Sequence, residues 1–308
     1  MITRRNFLAQ SSAALCTLAA ASFARDSVFG PNLHFPTQPR ERIAVASYPF
    51  RDFIVDPEHP AAGKLELKDF AAHVISKFNV NKIEPWTGHF PSSDPKYLEQ
   101  FRTAVEKARG AIANIAVDGE QSPYAANREE REQAVTFRKK WIDAAVTLGA
   151  HSVRTNIPDA KDSKPDLERA AASFSQIVEH ASQKNVVVNL ENDNPVSEDP
   201  FFLVELIDKV NSPWLHALPD FGNSLAHLDA DRAYRGVDAM FRKAYSICHV
   251  KEMEMGRDDK LVHVDLAKTF GILKQHGYKG YLSMEFDSPG DPYAGTTELI
   301  SKTLQYLS

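Results

Sequence analysis

The stretch Arg42-Ile43-Ala44-Val45-Ala46-Ser47-Tyr48-Pro49-Phe50-Arg51-Asp52 separates two ways of building an α/β protein. The apolar residues from Ile43 to Ala46 read as a short buried strand. A doubly wound sheet that binds a dinucleotide would continue with Gly-x-Gly-x-x-Gly, because glycines allow the tight turn and the close approach of backbone to pyrophosphate. Ser47 to Asp52 hold no glycine, and no Walker-type phosphate loop stands elsewhere in the chain. The competing architecture is a closed barrel.

Outward from that strand the chain keeps a regular beat. Strand candidates start near Ile43, Val80, Ala111, Ser152, Val186, Trp214, Ser246 and Gly280, at intervals of 37, 31, 41, 34, 28, 32 and 34 residues. Each interval is about one βα unit. Apolar residues at three- and four-residue spacing predict helices over 67–78, 97–108, 129–148, 166–182, 200–210, 232–244, 264–276 and 296–307. Ser163 before Lys164-Pro165 and Asp199 before Pro200 read as helix caps, and the charged run from Asn127 to Glu132 as the solvated start of a helix. Eight strands, each followed by a helix and with no boundary between them, predict a single (β/α)8 TIM barrel over residues 42–308.

With 308 residues, 43% of them hydrophobic and 25% charged, the composition excludes a disordered or low-complexity chain. A net charge of −5 gives no basic stripe for gripping a polyanion, so nucleic acid is not expected as a partner. Two cysteines, Cys16 and Cys248, are too few for a disulfide framework or a multi-cysteine zinc site.

The chain opens Thr3-Arg4-Arg5-Asn6-Phe7-Leu8, followed by a weakly apolar run from Ser11 to Phe23. A basic start, a short apolar stretch and the small-x-small site Ser22-Phe23-Ala24 predict a signal peptide over residues 1–24, with Ala19-Ala20-Ala21 as the alternative site. The paired arginines resemble the twin-arginine signal, which implies the twin-arginine export machinery as a partner and an exported, periplasmic location. No stable membrane anchor is expected after cleavage. Cleavage would move the net charge to −7, since it removes Arg4 and Arg5 and no acid, and would leave Cys248 as the one thiol. Residues 25–41, with Pro31, Pro36 and Pro39, read as a linker.

Barrel enzymes keep their chemistry at the C-terminal ends of the strands. Strand five, Val186-Val187-Val188-Asn189-Leu190, ends in Glu191. Strand six runs into Leu218-Pro219-Asp220-Phe221-Gly222-Asn223, and strand seven ends His249-Val250-Lys251-Glu252. Strand eight, Tyr281-Leu282-Ser283-Met284, ends in Glu285. The four candidates Glu191, Asp220, His249 and Glu285 are 29, 29 and 36 residues apart. Any one has an ordinary structural explanation, since strand-end acids often cap the next helix and a lone histidine is more often structural. Four in phase at adjacent strand ends are harder to explain that way. Two glutamates, an aspartate and a histidine at one mouth suit one divalent ion such as Mn²⁺, Mg²⁺ or Co²⁺, with Zn²⁺ as a further candidate.

The segments Asp220-x-Gly222-Asn223, His249-Val250-Lys251-Glu252 and Gly277-Tyr278-x-Gly280 leading to Glu285 resemble the sugar phosphate isomerase/epimerase group of the xylose isomerase-like barrels, over about residues 41–308. The resemblance implies that Glu191, Asp220, His249 and Glu285 hold the metal and that Glu191 and Glu285 double as an acid/base pair. The chemistry is consistent: isomerising a carbonyl sugar removes a proton next to the carbonyl, a divalent ion stabilises the enediolate, and two carboxylates move the proton. The expected activity is therefore a metal-dependent isomerase or epimerase acting on a free sugar or keto-sugar, with a small carbohydrate as ligand and homo-oligomerisation left open. Ketose 3-epimerases usually place a histidine three residues after the aspartate, where this chain has Asn223. The His249-x-Lys251 segment is closer to the inosose dehydratase relatives. Lys251 is thus a candidate to stabilise an enolate or assist a leaving hydroxyl, against the plain reading of a solvated loop lysine. The alternative function is a lyase or dehydratase on a 3-keto-sugar or keto-inositol.

Around the mouth stand further substrate-binding candidates. After strand two come Glu84, which matches the Ile-Glu usual at that strand in the group and is expected to hydrogen-bond near the sugar or to orient a neighbour, Trp86 as a ring platform, and His89. Arg154 and Asn156 end strand four, and Arg257 in the loop after strand seven is a lid candidate. Tyr48 and Arg51 complete the rim. An apurinic endonuclease is disfavoured: the third strand ends Ile115-Ala116-Val117-Asp118 without a histidine ligand, and the chain is acidic. A sugar-binding protein without catalysis would not need the four-ligand set.

Overall fold

Eight parallel strand positions close around one axis in a computed structural model that describes residues 30–61, 63–256 and 260–308. The expected signal peptide and Arg257 lie outside the described residues. The strands are β1 (Ile43–Ala46), β2 (Lys82–Glu84), β3 (Ala111–Ile112), β4 (Ile115–Val117), β5 (Ser152–Thr155), β6 (Val187–Glu191), β7 (Leu215–Leu218), β8 (Ile247–Val250), a hairpin of β9 (Met253–Met255) and β10 (Leu261–His263), and β11 (Tyr281–Met284). The helices are α1 (Phe70–Phe78), α2 (Pro95–Lys107), α3 (Arg128–Leu148), α4 (Leu167–Lys184), α5 (Pro200–Val210), α6 (Ala230–Phe241), α7 (Leu266–Gln275) and α8 (Pro292–Leu307).

Hydrogen-bonded neighbours run β3-β2-β1-β11-β8 and β4-β5-β6-β7. Two seams join these runs. At one, β3 and β4 are a single strand broken at Ala113-Asn114, and the Ala116 N–H donates to the Pro85 carbonyl at 3.0 Å. At the other, the His249 N–H donates to Pro219 O at 3.1 Å and the Phe221 N–H to His249 O at 3.2 Å. The barrel is closed, as the spacing predicts.

Side chains alternate across each strand, so every second residue faces the helices. Val45, Ile83, Val188, Leu190, Val250 and Leu282 face outward into one core with Phe70, Phe101, Ile142, Phe174, Leu206 and Phe270 of the helices. Fully burying one such side chain is worth about 1.5–3 kcal/mol. Helices α1, α4 and α5 end on left-handed asparagines, Asn79, Asn185 and Asn211, and α3 ends on Gly149. Asp199 caps α5 as expected, its carboxylate accepting from the Phe201 N–H at 3.0 Å. The cap of α4 is Asp166, three residues beyond Ser163, because its carboxylate reaches the Arg169 N–H at 2.9 Å. The antiparallel hairpin β9–β10 was not expected from the sequence pattern. Among the described residues no helix is long and apolar enough to cross a membrane.

Candidate metal centre

With Val188 and Leu190 turned to the helices, Asn189 and Glu191 turn into the barrel. The same alternation turns Arg154 and His249 inward, and Glu285 follows one step past β11. Asp220, just after β7, is bridged to His249. The ligand atoms of Glu191, Asp220, His249 and Glu285 lie within 4.8 Å of one another, and all four residues are buried. The Asp-x-Gly-Asn segment sets Asp220: its Oδ1 accepts the N–H groups of Gly222 and Asn223 at 2.8 and 2.7 Å, so that Oδ2 is left for another partner. A Cβ at Gly222 would come within 3.3 Å of Glu254 and 3.4 Å of Lys251.

His249 has two distinct sides. Its Nε2 is 3.0 Å from Glu84 Oε2, while Nδ1 faces Glu191 Oε1 at 2.8 Å, Glu285 Oε2 at 3.1 Å and Asp220 Oδ2 at 3.9 Å. A carboxylate bound to one ring nitrogen fixes the tautomer, which makes Nδ1 the nitrogen offered to a cation. Glu84 is itself held by Asn114, whose amide donates to Oε1 at 2.6 Å. Of the two roles expected for Glu84, a hydrogen bond near the sugar or the orientation of a neighbour, the geometry matches the second: it lies against His249 Nε2 and is 1% exposed.

Charge is concentrated here. Burial would push the Glu285 carboxyl up, but His249 and Lys251 hold it well below the usual carboxylate range. Burial pushes Asp220 well above that range, with Lys251 opposing. Burial alone would lower His249, yet Glu191, Glu285 and Glu84 raise it far above an ordinary histidine. Each of the three acids keeps one buried oxygen, Glu191 Oε2, Asp220 Oδ2 and Glu285 Oε2, that accepts no hydrogen bond from the described residues. Arg154 Nε stands 2.8 Å from the first and Lys251 Nζ 3.2 Å from the last, both out of line for a hydrogen bond. Unsatisfied buried oxygens are unfavourable, and a hard divalent cation satisfies several at once. The donor set fits such an ion.

Lys251 is buried, not a solvated loop residue: its Nζ donates to Asn223 Oδ1 at 2.6 Å and to Glu254 Oε2 at 3.0 Å. Asn223 also reaches Glu191 Oε1 at 3.4 Å. Arg154 bridges Glu191 and Asp118, and the Trp86 indole N–H donates to the other oxygen of Asp118 at 2.5 Å. Asn156 turns away, with both ends of its amide on the Gly119 backbone at 2.8 and 3.1 Å. His89 is buried, its Nδ1 2.9 Å from Ser47 Oγ. Sequence reasoning missed Asp118, Asn114 and Asn192, the last holding the Asp220 backbone through both its amide atoms. Asn192 follows Glu191 directly, which was a signal; Asn114 had none. Cys248 is buried among the outward-facing core residues, and burial pushes its thiol up to about 12.

A closed barrel with three carboxylates and one histidine converging at its strand ends defines a class, the barrels with a candidate divalent-cation mouth. Within that class the chain belongs to the xylose isomerase-like TIM barrel family, which it matches over residues 73–307. Among curated proteins no relative matches. Solved structures do. A xylose isomerase-like TIM barrel protein from Mycobacterium smegmatis, in complex with magnesium, is 18% identical with a TM-score of 0.65, covering 86% of this chain and 96% of that one. A D-allulose 3-epimerase from Methylomonas sp. is 14% identical with a TM-score of 0.66, covering 89% and 100%. A 3-keto-D-glucoside 4-epimerase from E. coli is 12% identical with a TM-score of 0.61, covering 85% and 98%. At these identities the likeness is one of fold.

Proposed function

We propose that this protein is a divalent-metal-dependent isomerase or epimerase of an uncharged sugar or keto-sugar, working through an enediolate, and that it falls in the sugar phosphate isomerase/epimerase group of its family. The observation behind this reading is the pairing of Glu191 and Glu285: their oxygens lie 2.8 and 3.1 Å from the same imidazole nitrogen, and each keeps a buried oxygen without a hydrogen bond. Moving a proton on a carbon next to a carbonyl needs a base and an acid placed about that carbon. Glu191 and Glu285 take and return it through their carboxylates. Glu191, Asp220, His249 and Glu285 would hold the divalent ion, which would supply charge stabilisation for the negative charge that develops on the substrate oxygens. Arg154 and Lys251 add positive charge at the edges of that site, and Asn223 offers an amide where a proton-exchanging histidine would suit a simple ketose 3-epimerase. The solved relatives that are sugar epimerases support the reading by fold analogy.

Proton NMR of the Mn²⁺-loaded protein with keto-sugars in D₂O tests this. Solvent deuterium entering at one carbon, in a product that is otherwise an isomer of the substrate, is the expected result; no exchange with any keto-sugar would sink the proposal. A second reading has its own observation: Lys251 Nζ lies 3.2 Å from Glu285 and 3.6 Å from Asp220, placed to assist a leaving hydroxyl. Elimination would show in the same spectra as an unsaturated or deoxy product.

We also infer export from Arg4-Arg5 and the apolar run behind them. Outside the cytoplasm sugar phosphates are scarce, which favours an uncharged substrate. Replacing both arginines by lysine should retain the protein in the cytoplasm; unchanged export would remove the twin-arginine assignment.

A further inference from the structure

A cleft opens between the loop after β1 and the loop after β2, and the reading above leaves it unused. It measures about 660 Å³. Two of its lining residues, Arg51 and Trp86, are joined through their neighbours to the metal mouth. Tyr48 is met edge-on by Trp86 at 5.3 Å and covered by the Arg51 guanidinium at 4.5 Å, while its hydroxyl lies in the field of Asp287, Glu285 and Lys251. Arg51 pairs with Asp287 at 3.1 Å, two residues beyond Glu285. Trp86, also in the lining, is tied through Asp118 and Arg154 to Glu191. A molecule seated in the cleft therefore touches Arg51 and Trp86, which these contacts link to the reacting centre.

The lining selects the kind of molecule. The lining holds Arg51 and Lys64 against Asp52, Asp56 and Glu58, so the balance is not positive. Arg51 is already paired with Asp287, and nothing on the lining gathers cations for a phosphate or a carboxylate. An indole wall among many hydrogen-bonding groups suits a neutral polyhydroxylated unit. Gly88 keeps Trp86 in place, since a Cβ there would stand 2.4 Å from the ring.

His89, in the same wall and 3% exposed, adds an independent sign. Ser47 Oγ accepts the Trp86 N–H at 2.8 Å, so its own hydrogen is free to go to His89 Nδ1 at 2.9 Å. That leaves the ring proton on Nε2, a donor with no partner among the described residues. A buried N–H without an acceptor is unfavourable, and a hydroxyl oxygen would relieve it.

We propose that this cleft seats the second unit of a glycoside, so that the metal centre acts on a sugar still linked to a neighbouring sugar unit. The neighbouring unit lies between Trp86 and Lys64 and accepts a hydrogen bond from His89 Nε2. This rests on the sugar isomerase reading, but its test does not depend on turnover. Calorimetric titration of the Mn²⁺-loaded protein compares glucose with cellobiose, maltose and lactose. At least one disaccharide should bind tenfold or more tightly than glucose, and that ratio should fall about tenfold in His89→Phe. Lys64→Ala, a change at the cleft rim, should lower the ratio too and serves if His89→Phe fails to fold. Disaccharides that bind no better than glucose, or a preference untouched by both variants, would overturn the cleft assignment. Absent deuterium exchange with keto-sugars, by contrast, would overturn the isomerase reading and leave the binding ratio intact.

Discussion

Glu84 is buried against His249 Nε2 at 3.0 Å, which leaves Nδ1 as the nitrogen that faces the other acids. Glu84→Gln keeps an acceptor for the histidine N–H but removes the charge. Losing such a partner of a metal-ligating histidine typically weakens metal binding 10–100-fold. Competition with a metal-sensitive dye should show that loss with the circular dichroism unchanged; wild-type affinity would mean that the ring is oriented by something else. Glu191→Gln and Glu285→Gln address the chemistry. Each keeps an amide oxygen but no group that accepts a proton near neutral pH. With Mn²⁺ supplied to saturation, each should lose on the order of 10²–10⁴-fold in turnover. Near-normal rates in both would leave the carboxylates as holders of the ion and move the search for the base to Lys251. The four strand-end candidates were legible because position along a strand is one-dimensional information. Asn114 and Asp118 were not, and Glu84 was legible as a candidate but its partner was not. Glu84 acts on a histidine 165 residues away, and no sequence spacing announces that contact. The strand-end rule also gives a position without a direction: Arg154 turns inward, whereas Asn156, past the end of β5, turns to a loop backbone.

At the scale of elements, the expected strand starts fall within two residues of the observed ones. Short runs of valine, isoleucine and leucine buried on both faces leave little freedom for register. Two features escaped. The third strand is broken because Asn114 turns its amide to Glu84, Ser152 and Asn189 inside the barrel, a polar network that apolar periodicity cannot reveal. The β9–β10 hairpin carries Met253, Met255, Leu261 and His263 in a pattern too short to tell from a loop. The helix ends are more readable in retrospect. Asn185 ends α4 at a φ of 56°, a conformation that costs a residue with a Cβ about 1–2 kcal/mol unless, like asparagine, it hydrogen-bonds locally. Asn185→Gly should therefore be neutral or slightly stabilising, and Asn185→Ala destabilising by about 1 kcal/mol, in urea unfolding. Equal stability of the two variants would show that the left-handed turn is not held in solution.

For the whole molecule, the mouth is the place where the fold opposes itself. The barrel brings four carboxylates, Glu84, Glu191, Asp220 and Glu285, around His249, with Lys251 and Arg154 at the edge, in a buried space. The helices and the outward faces of the strands must hold them there. A cation that binds only the folded barrel returns stability by mass action, about 2.7 kcal/mol at a hundred times its dissociation constant. For a domain of this size that is a rise in Tm of roughly 5 °C or somewhat more. Calorimetric melting with and without Mn²⁺ should show it, and His249→Ala should abolish the rise. The dependence on pH has a definite sign. The carboxylates raise the His249 imidazole far above its ordinary value, so in the metal-free barrel Nδ1 carries a proton that binding must displace. Lowering the pH strengthens the proton's competition, by up to tenfold in apparent affinity per unit for each proton released, so the Mn²⁺-dependent rise should shrink from pH 8 toward pH 6. A rise that survives in His249→Ala would place the ion elsewhere on the barrel, and a rise that grows as the pH falls would mean that the histidine is not among its ligands.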